Sequence, residues 1–178
     1  MHLGQKFLYF KMNYTIISGT NRSGSNTYKI ALFYQKIFRE KRIEAKLLTL
    51  ENINPLGENK EFKIMENEIL KPTDKYVFIS PEYNGSIPGI LKLLIDEADW
   101  RTAWKDKKAM LVGVSTGRAG NLRGMDHLTS ILHHMNIHVL PNMLPISQVD
   151  QFLDANGEVT DKGILAAIKK QIAQFISF

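Results

Sequence analysis

A chain of 178 residues with 44% hydrophobic and 23% charged residues has the balance of a globular protein and the length for one domain with a full core. It contains no Cys, which excludes a disulfide framework, a thiolate metal site and a Cys nucleophile. The net charge of +5 is scattered without a block of like charges, and no apolar run reaches the ~18 residues of a membrane span, so neither a nucleic-acid stripe nor a membrane partner is expected.

Residues 1–12 read as an N-terminal extension to a single folded unit, 13–178. The segment His2–Lys11 lacks a small-residue cleavage site and does not read as a secretory signal, so a cytoplasmic location is expected. Met12 stands just before the first strand, which leaves two readings open: an upstream start, or an arm that packs on a partner subunit.

Strand and helix then alternate. The first strand is Tyr14 to Ser18, and the first helix runs from about Asn26 to Lys41 with Ile30, Phe33, Tyr34 and Ile37 at helical spacing. A strand at Glu44 to Leu50 is followed by a weaker helix at Glu61 to Leu70. Next come a strand at Lys75 to Ser80 and a helix at Gly89 to Asp99. Ala109 to Ser115 is almost wholly apolar, as a central parallel strand should be. A fourth helix carries Leu128, Ile131, Leu132 and Met135 on one face, a short strand falls near Ile137 to Leu140, and the last helix starts at a Thr160-Asp161 cap. Five βα units predict an α/β, three-layer sandwich: a five-stranded parallel sheet of order 2-1-3-4-5, flavodoxin-like in topology.

Such sheets bind ligands at the carboxyl ends of their strands, and two loops there stand out. The first, Ser18 to Thr27, is rich in hydroxyls and amides and has one charged residue, Arg22. Gly19-x-x-x-x-Gly24 matches half of a Walker A pattern, but Ser25-Asn26 replaces the Lys-Ser/Thr that a triphosphate requires, and G-x-G-x-x-G is absent. Thr20, Ser25, Asn26 and Thr27 with the N–H groups of a helix start suit a terminal monophosphate; the alternative is a turn in which Ser25 or Asn26 merely caps the helix. The second loop, Pro81 to Gly89, has a Tyr and short turns, which suits a flat ring.

Two other patterns are weaker. Gly113-Val114-Ser115-Thr116-Gly117 satisfies G-x-S-x-G, but no well-placed Asp and His follow, so a serine hydrolase is disfavoured. His127, His133, His134 and His138 lack acidic or Cys companions, and His133 and His134 point about 100° apart on a helix, so no metal site is expected.

The run Gly19-Thr20-x-Arg22-x-Gly24-Ser25-Asn26-Thr27, combined with Pro81-Glu82-Tyr83-Asn84-Gly85-Ser86-Ile87-Pro88-Gly89-x-Leu91-Lys92, resembles the NADPH-dependent FMN reductase family, whose relatives reduce quinones, chromate and azo compounds. The resemblance implies that Thr20, Arg22, Ser25, Asn26 and Thr27 hold an FMN phosphate. It implies that Pro81, Glu82, Tyr83, Asn84 and Gly85 line the isoalloxazine ring, and that Ser115 and Gly117 approach its pyrimidine edge. The alternatives, disfavoured for Tyr83 by the resemblance, are a core aromatic at Tyr83 and a surface acid at Glu82. The chain departs from the family where L-K-N-A-I-D-W reads Leu91-Lys92-Leu93-Leu94-Ile95-Asp96-Glu97, on a helix that in the family adjoins a dimer interface.

The expected function is therefore an FMN-dependent oxidoreductase passing hydride from NADPH or NADH to a flavin, quinone, azo compound or similar small acceptor, as a homodimer or homotetramer. No catalytic side chain is required, because the flavin carries the chemistry. Helix three adds to the oligomer expectation, since Ile90, Leu91, Leu93, Leu94 and Ile95 run almost all round it. A non-enzymatic flavodoxin-like electron carrier is the alternative, disfavoured by the basic charge. Arg118 and Arg123 are candidates for a 2′-phosphate, or plain surface residues.

Overall fold

The computed structural model describes residues 12–57 and 59–178. The expected extension lies outside the described residues except for Met12. Five parallel strands form the sheet: β1 (Tyr14–Ser18), β2 (Ala45–Thr49), β3 (Lys75–Pro81), β4 (Lys108–Val114) and β5 (His138–Val139), in the order β2-β1-β3-β4-β5. The helices are α1 (Asn26–Glu40), α2 (Lys60–Met65), α3 (Gly89–Glu97), α4 (Leu122–His134) and α5 (Lys162–Ser177). This is the topology expected from the alternation of strand and helix.

The central strands are buried on both faces, and their alternation decides which helix each residue meets. Tyr14, Ile16, Val77, Ile79, Met110 and Val112 pack with Ile30, Phe33 and Tyr34 of α1 and with Ile168, Ile172 and Phe175 of α5. Ile17, Tyr76, Phe78, Ala109 and Leu111 face the other way, onto Phe62 of α2, Leu91 and Leu94 of α3, and Leu128 and Leu132 of α4. The result is three layers with a core on each side of the sheet.

Three elements differ from the sequence expectation. The fifth strand stops after two residues, and a further short strand, β6 (Leu144–Ile146), resumes the pairing with β4 at Val112–Val114. Pro141 and Pro145 deny N–H donors to this stretch, which hides it from a strand pattern and confines it to the sheet edge. The expected helix Glu61 to Leu70 is instead α2 followed by a π-helical turn, Glu66–Leu70, and a second π-turn spans Trp100–Trp104. The two turns meet through Tyr76, whose hydroxyl lies 2.6 Å from the Leu70 carbonyl oxygen and 2.9 Å from that of Ala103. Buried Glu66 accepts from Asp99 N at 2.6 Å, so a carboxylate on one turn holds the residue that caps the other.

Helix three is less uniform in burial than its sequence suggests. Leu91, Leu94 and Ile95 are buried within the subunit, whereas Ile90 and Leu93 remain partly exposed. Among the described residues no helix is long and apolar enough to cross a membrane.

Candidate functional site

Three loops leave the carboxyl ends of β1, β3 and β4 and enclose a cavity of about 370 Å³, within the size range of small-molecule sites. The first loop supplies Thr20, Arg22, Ser25, Asn26 and Thr27 to its wall. It stands where it does because β1 and β3 are paired and Gly19 N continues the ladder, donating to Ile79 O at 2.8 Å. A Cβ at Gly19 would sit 3.0 Å from Ile79 O and from Leu91 Cδ2, tighter than side chains ordinarily pack, so glycine lets the loop lie close against the strand. Ser25 is the N-cap of α1, accepting from Tyr28 N at 3.1 Å. The N–H groups of Asn26 and Thr27 have no acceptor among the described residues, as expected for the first turn of a helix. That turn contains no acidic residue, so the positive end of the α1 dipole opens into the cavity uncompensated. Both sequence readings of this loop therefore apply together: Ser25 caps the helix, and the loop still presents free donors.

The second loop turns tightly. Asn84 and Gly85 have φ of 51° and 78°, and Tyr83 and Ser86 exchange both backbone hydrogen bonds, at 2.9 and 3.1 Å. This is a two-residue hairpin of the I′ type, for which Asn-Gly is the favoured pair. Pro81, Glu82 and Tyr83 line the cavity, but Asn84 and Gly85 do not, because the turn carries them past its rim toward α4. Tyr83 is half-buried and belongs to neither core; its hydroxyl lies 2.8 Å from Thr20 Oγ1, and the Arg22 guanidinium stands 5.0 Å above its ring. Thr20 also accepts from Arg22 N at 3.2 Å, so one threonine joins two loops.

The third loop contributes Ser115, Thr116 and Gly117, together with Val114. Its shape is set by Ser115, whose hydroxyl donates to Gly117 O at 2.9 Å and accepts from Gly120 N at 3.1 Å. The hydroxyl is thus spent on its own loop, and the arrangement lacks the histidine partner of a serine nucleophile. The N–H groups of Thr116, Gly117 and Arg118 have no acceptor among the described residues.

Four residues that sequence reasoning did not single out complete the site. Val114 and Thr116 line the wall between the predicted positions, and Val149 is brought in when its N–H donates to Ser115 O at 3.1 Å. Asn121 is the least foreseeable. It is fully buried with φ of 62°, and its amide donates to Ser80 O at 2.9 Å and Pro81 O at 3.0 Å, fixing the start of the ring loop. An Asn between Gly120 and a helix offers only its tolerance of the left-handed region as a signal. His133 and His134 are exposed, and no cluster of three or more His, Cys, Asp or Glu forms among the described residues.

The cavity is thus asymmetric: donors and Arg22 at the α1 end, and backbone N–H groups, Tyr83 and a small apolar patch at the other. That donor set fits a flavin mononucleotide. An anionic phosphate suits the α1 end, and the free third-loop amides suit the carbonyl edge of a flat heterocycle.

Comparison with known proteins agrees with this geometry. The chain is 33% identical to an NAD(P)H-dependent FMN reductase of Pseudomonas aeruginosa over 109 residues, covering 59% of this chain and 58% of that protein. It is 24% identical to an NADH:(hydroxy)cinnamate reductase subunit of Vibrio ruber, covering 94% of this chain and 87% of that one. Among solved structures, the flavoenzyme NAD(P)H:(acceptor) oxidoreductase FerB from Paracoccus denitrificans superposes with a TM-score of 0.80 at 24% identity, covering 94% of this chain and 96% of that one. The profile of the NADPH-dependent FMN reductases matches residues 12–151, and the chain belongs to that family.

Proposed function

We propose that the protein is an FMN-dependent oxidoreductase that takes hydride from NADPH or NADH and reduces a small acceptor of the quinone, flavin or azo class. The single observation that carries this reading is the cavity formed by the loops after β1, β3 and β4, with an uncompensated helix start at one end and free backbone amides at the other. Thr20, Arg22, Ser25, Asn26 and Thr27 hold the phosphate; Pro81, Glu82 and Tyr83 form one wall for the ring, supported by the Asn84-Gly85 turn; Ser115 and Gly117 frame its polar edge. When bound, FMN supplies the hydride relay between donor and acceptor. The chain's own residues orient the cofactor, leave one side of the cavity open and place N–H dipoles where negative charge would develop.

Residues 13–178 act as the FMN-binding unit, in the cytoplasm and as a homodimer that covers Ile90 and Leu93. Relatives of this family include quinone reductases, which supports a small-molecule acceptor. A single-electron carrier is disfavoured by the net charge of +5, since flavodoxins are usually acidic and dock on basic partners.

The test is the absorbance spectrum of the purified protein before and after anaerobic NADPH. A flavin spectrum that bleaches rapidly, with FMN and not FAD released on heating, is the expected result. No flavin after reconstitution, FAD as the released cofactor, or bound flavin that both NADPH and NADH leave oxidised would overturn the reading.

A further inference from the structure

Next to Glu82, which lines the cavity, and against the tip of the hairpin stands the first turn of α4 with Arg123. Its guanidinium lies over the tip of the hairpin: a Cβ at Gly85 would meet Arg123 Cζ and Nη2 at 3.5 Å. Its one anionic neighbour among the described residues, Glu82 Oε1, is 3.6 Å from Nη2, too far for a hydrogen bond. The Arg123 side chain is 72% exposed and that of Glu82 25%, so the pair holds the guanidinium only loosely. The position also suits a cation poorly. The first turn of α4 contains no acidic residue, and the helix macrodipole there opposes positive charge. The chain thus keeps a weakly compensated guanidinium at the rim, against a cavity wall whose only acid is Glu82.

We infer that Arg123 binds a phosphate of the dinucleotide hydride donor. This rests on the FMN reading above. A dinucleotide whose reactive ring enters the cavity must carry its phosphates out across the rim. Arg123 is the planar fork on that path, with donors that match phosphate oxygens two at a time. Glu82, 3.6 Å away, is a loose partner that a phosphate can replace. Arg22, the one Lys or Arg lining the cavity among the described residues, is stacked on Tyr83 beside α1, and Arg118 is exposed on the loop after β4.

The experiment uses the FMN-loaded full chain, with Arg123→Gln and Arg123→Lys as variants. NADP⁺ binding is followed by calorimetry, and KM is measured for NADPH, NADH and neutral 1,4-benzoquinone. Arg123→Gln is expected to raise the NADP⁺ dissociation constant and the KM for NADPH by about 10-fold, with partial recovery in Arg123→Lys, since one charge-assisted contact is lost. FMN content and the KM for benzoquinone should stay at the wild-type values. A rise for NADPH alone assigns the contact to the 2′-phosphate, and a rise for both donors assigns it to the diphosphate; either supports the inference. Unchanged NADP⁺ binding in a variant that still carries flavin and is bleached by NADPH overturns this inference and leaves the FMN reading standing. Failure of the wild type to bind flavin overturns both, and is seen before any variant is compared.

Discussion

Tyr83 Oη lies 2.8 Å from Thr20 Oγ1, so the loop after β3 is fastened to the loop after β1 by one bond between two hydroxyls at the cavity wall. The Arg22 guanidinium caps the same tyrosine ring, which makes Tyr83 a strut between the two ends of the site. Tyr83→Phe keeps the ring and removes the fastening. FMN should bind about 2- to 10-fold more weakly, as for loss of one neutral hydrogen bond. Flavin titration by fluorescence quenching checks this; an unchanged dissociation constant would mean that the two loops hold their spacing without the bond.

Arg22 is the cation of the phosphate end. Losing one charge-assisted bond to a phosphate costs roughly 1.5–3 kcal/mol, so Arg22→Ala should weaken FMN by about 10- to 150-fold. The side chain is exposed and reaches no core residue, so the apoprotein's melting temperature should hardly move. A titration showing wild-type affinity would place the guanidinium in solvent.

Helix three offers an oligomerisation test, and the structure decides which residues to use. Leu94 sits in the subunit core with no exposed surface, so a charge there would unfold the monomer. Ile90 and Leu93 are only partly covered, and the joint change Ile90→Glu and Leu93→Glu should convert a dimer to monomer while leaving the circular dichroism spectrum intact. Light scattering that finds the wild type monomeric at micromolar concentration would rule out the dimer.

Alkaline stability follows from Tyr76. Burial pushes its ionisation well above the ordinary value of 10. A group whose folded value is raised stabilises the protein in full below the unfolded value, and that stabilisation is lost as pH rises above it. Unfolding free energy should therefore fall above pH ~10, by about 1.4 kcal/mol per pH unit for one such group. Buried Tyr34, raised for the same reason, adds in the same direction. Lys75, lowered by burial and by Lys108, acts oppositely, so the comparison must be made between variant and wild type. Tyr76→Phe should make the alkaline loss shallower, and should cost about 1–3 kcal/mol at neutral pH because the Leu70 and Ala103 carbonyls lose their donor. Denaturant curves at pH 8 and pH 11 with equal losses in both proteins would refute it.

Much of this architecture was legible in the chain because its signals are local. Apolar runs such as Ala109–Val114 mark buried parallel strands, helical spacing marks the inner faces of α1 and α5, and Asp161 caps α5 by accepting from Ile164 N, as its position suggested. The Asn84-Gly85 turn was legible too, since few sequences besides Asn-Gly place two consecutive residues at positive φ. The loop residues Thr20 to Thr27 and Pro81 to Tyr83 could be named as neighbours only because strand order makes β1 and β3 adjacent.

What the sequence by itself determined is the alternation of five strands and helices, their layering and the chemical character of each loop, because propensity, periodicity and capping act within a few residues. Tertiary structure alone decided the rest. Asn121 became a buried anchor because Gly113 lacks a Cβ, which would lie 2.0 Å from Gly120 O, so the turn before α4 can close onto β4 and bring the amide to Ser80 and Pro81. The π-turns formed where Tyr76 and Glu66 offered partners across 27 and 33 residues of chain. Arg123 came to rest over Gly85 for a similar reason: α4 packs beside the hairpin, and no pattern within either segment encodes that meeting. Contacts between residues far apart in the chain depend on how whole layers dock, and docking is set by the summed shape of two cores and not by any one stretch of sequence.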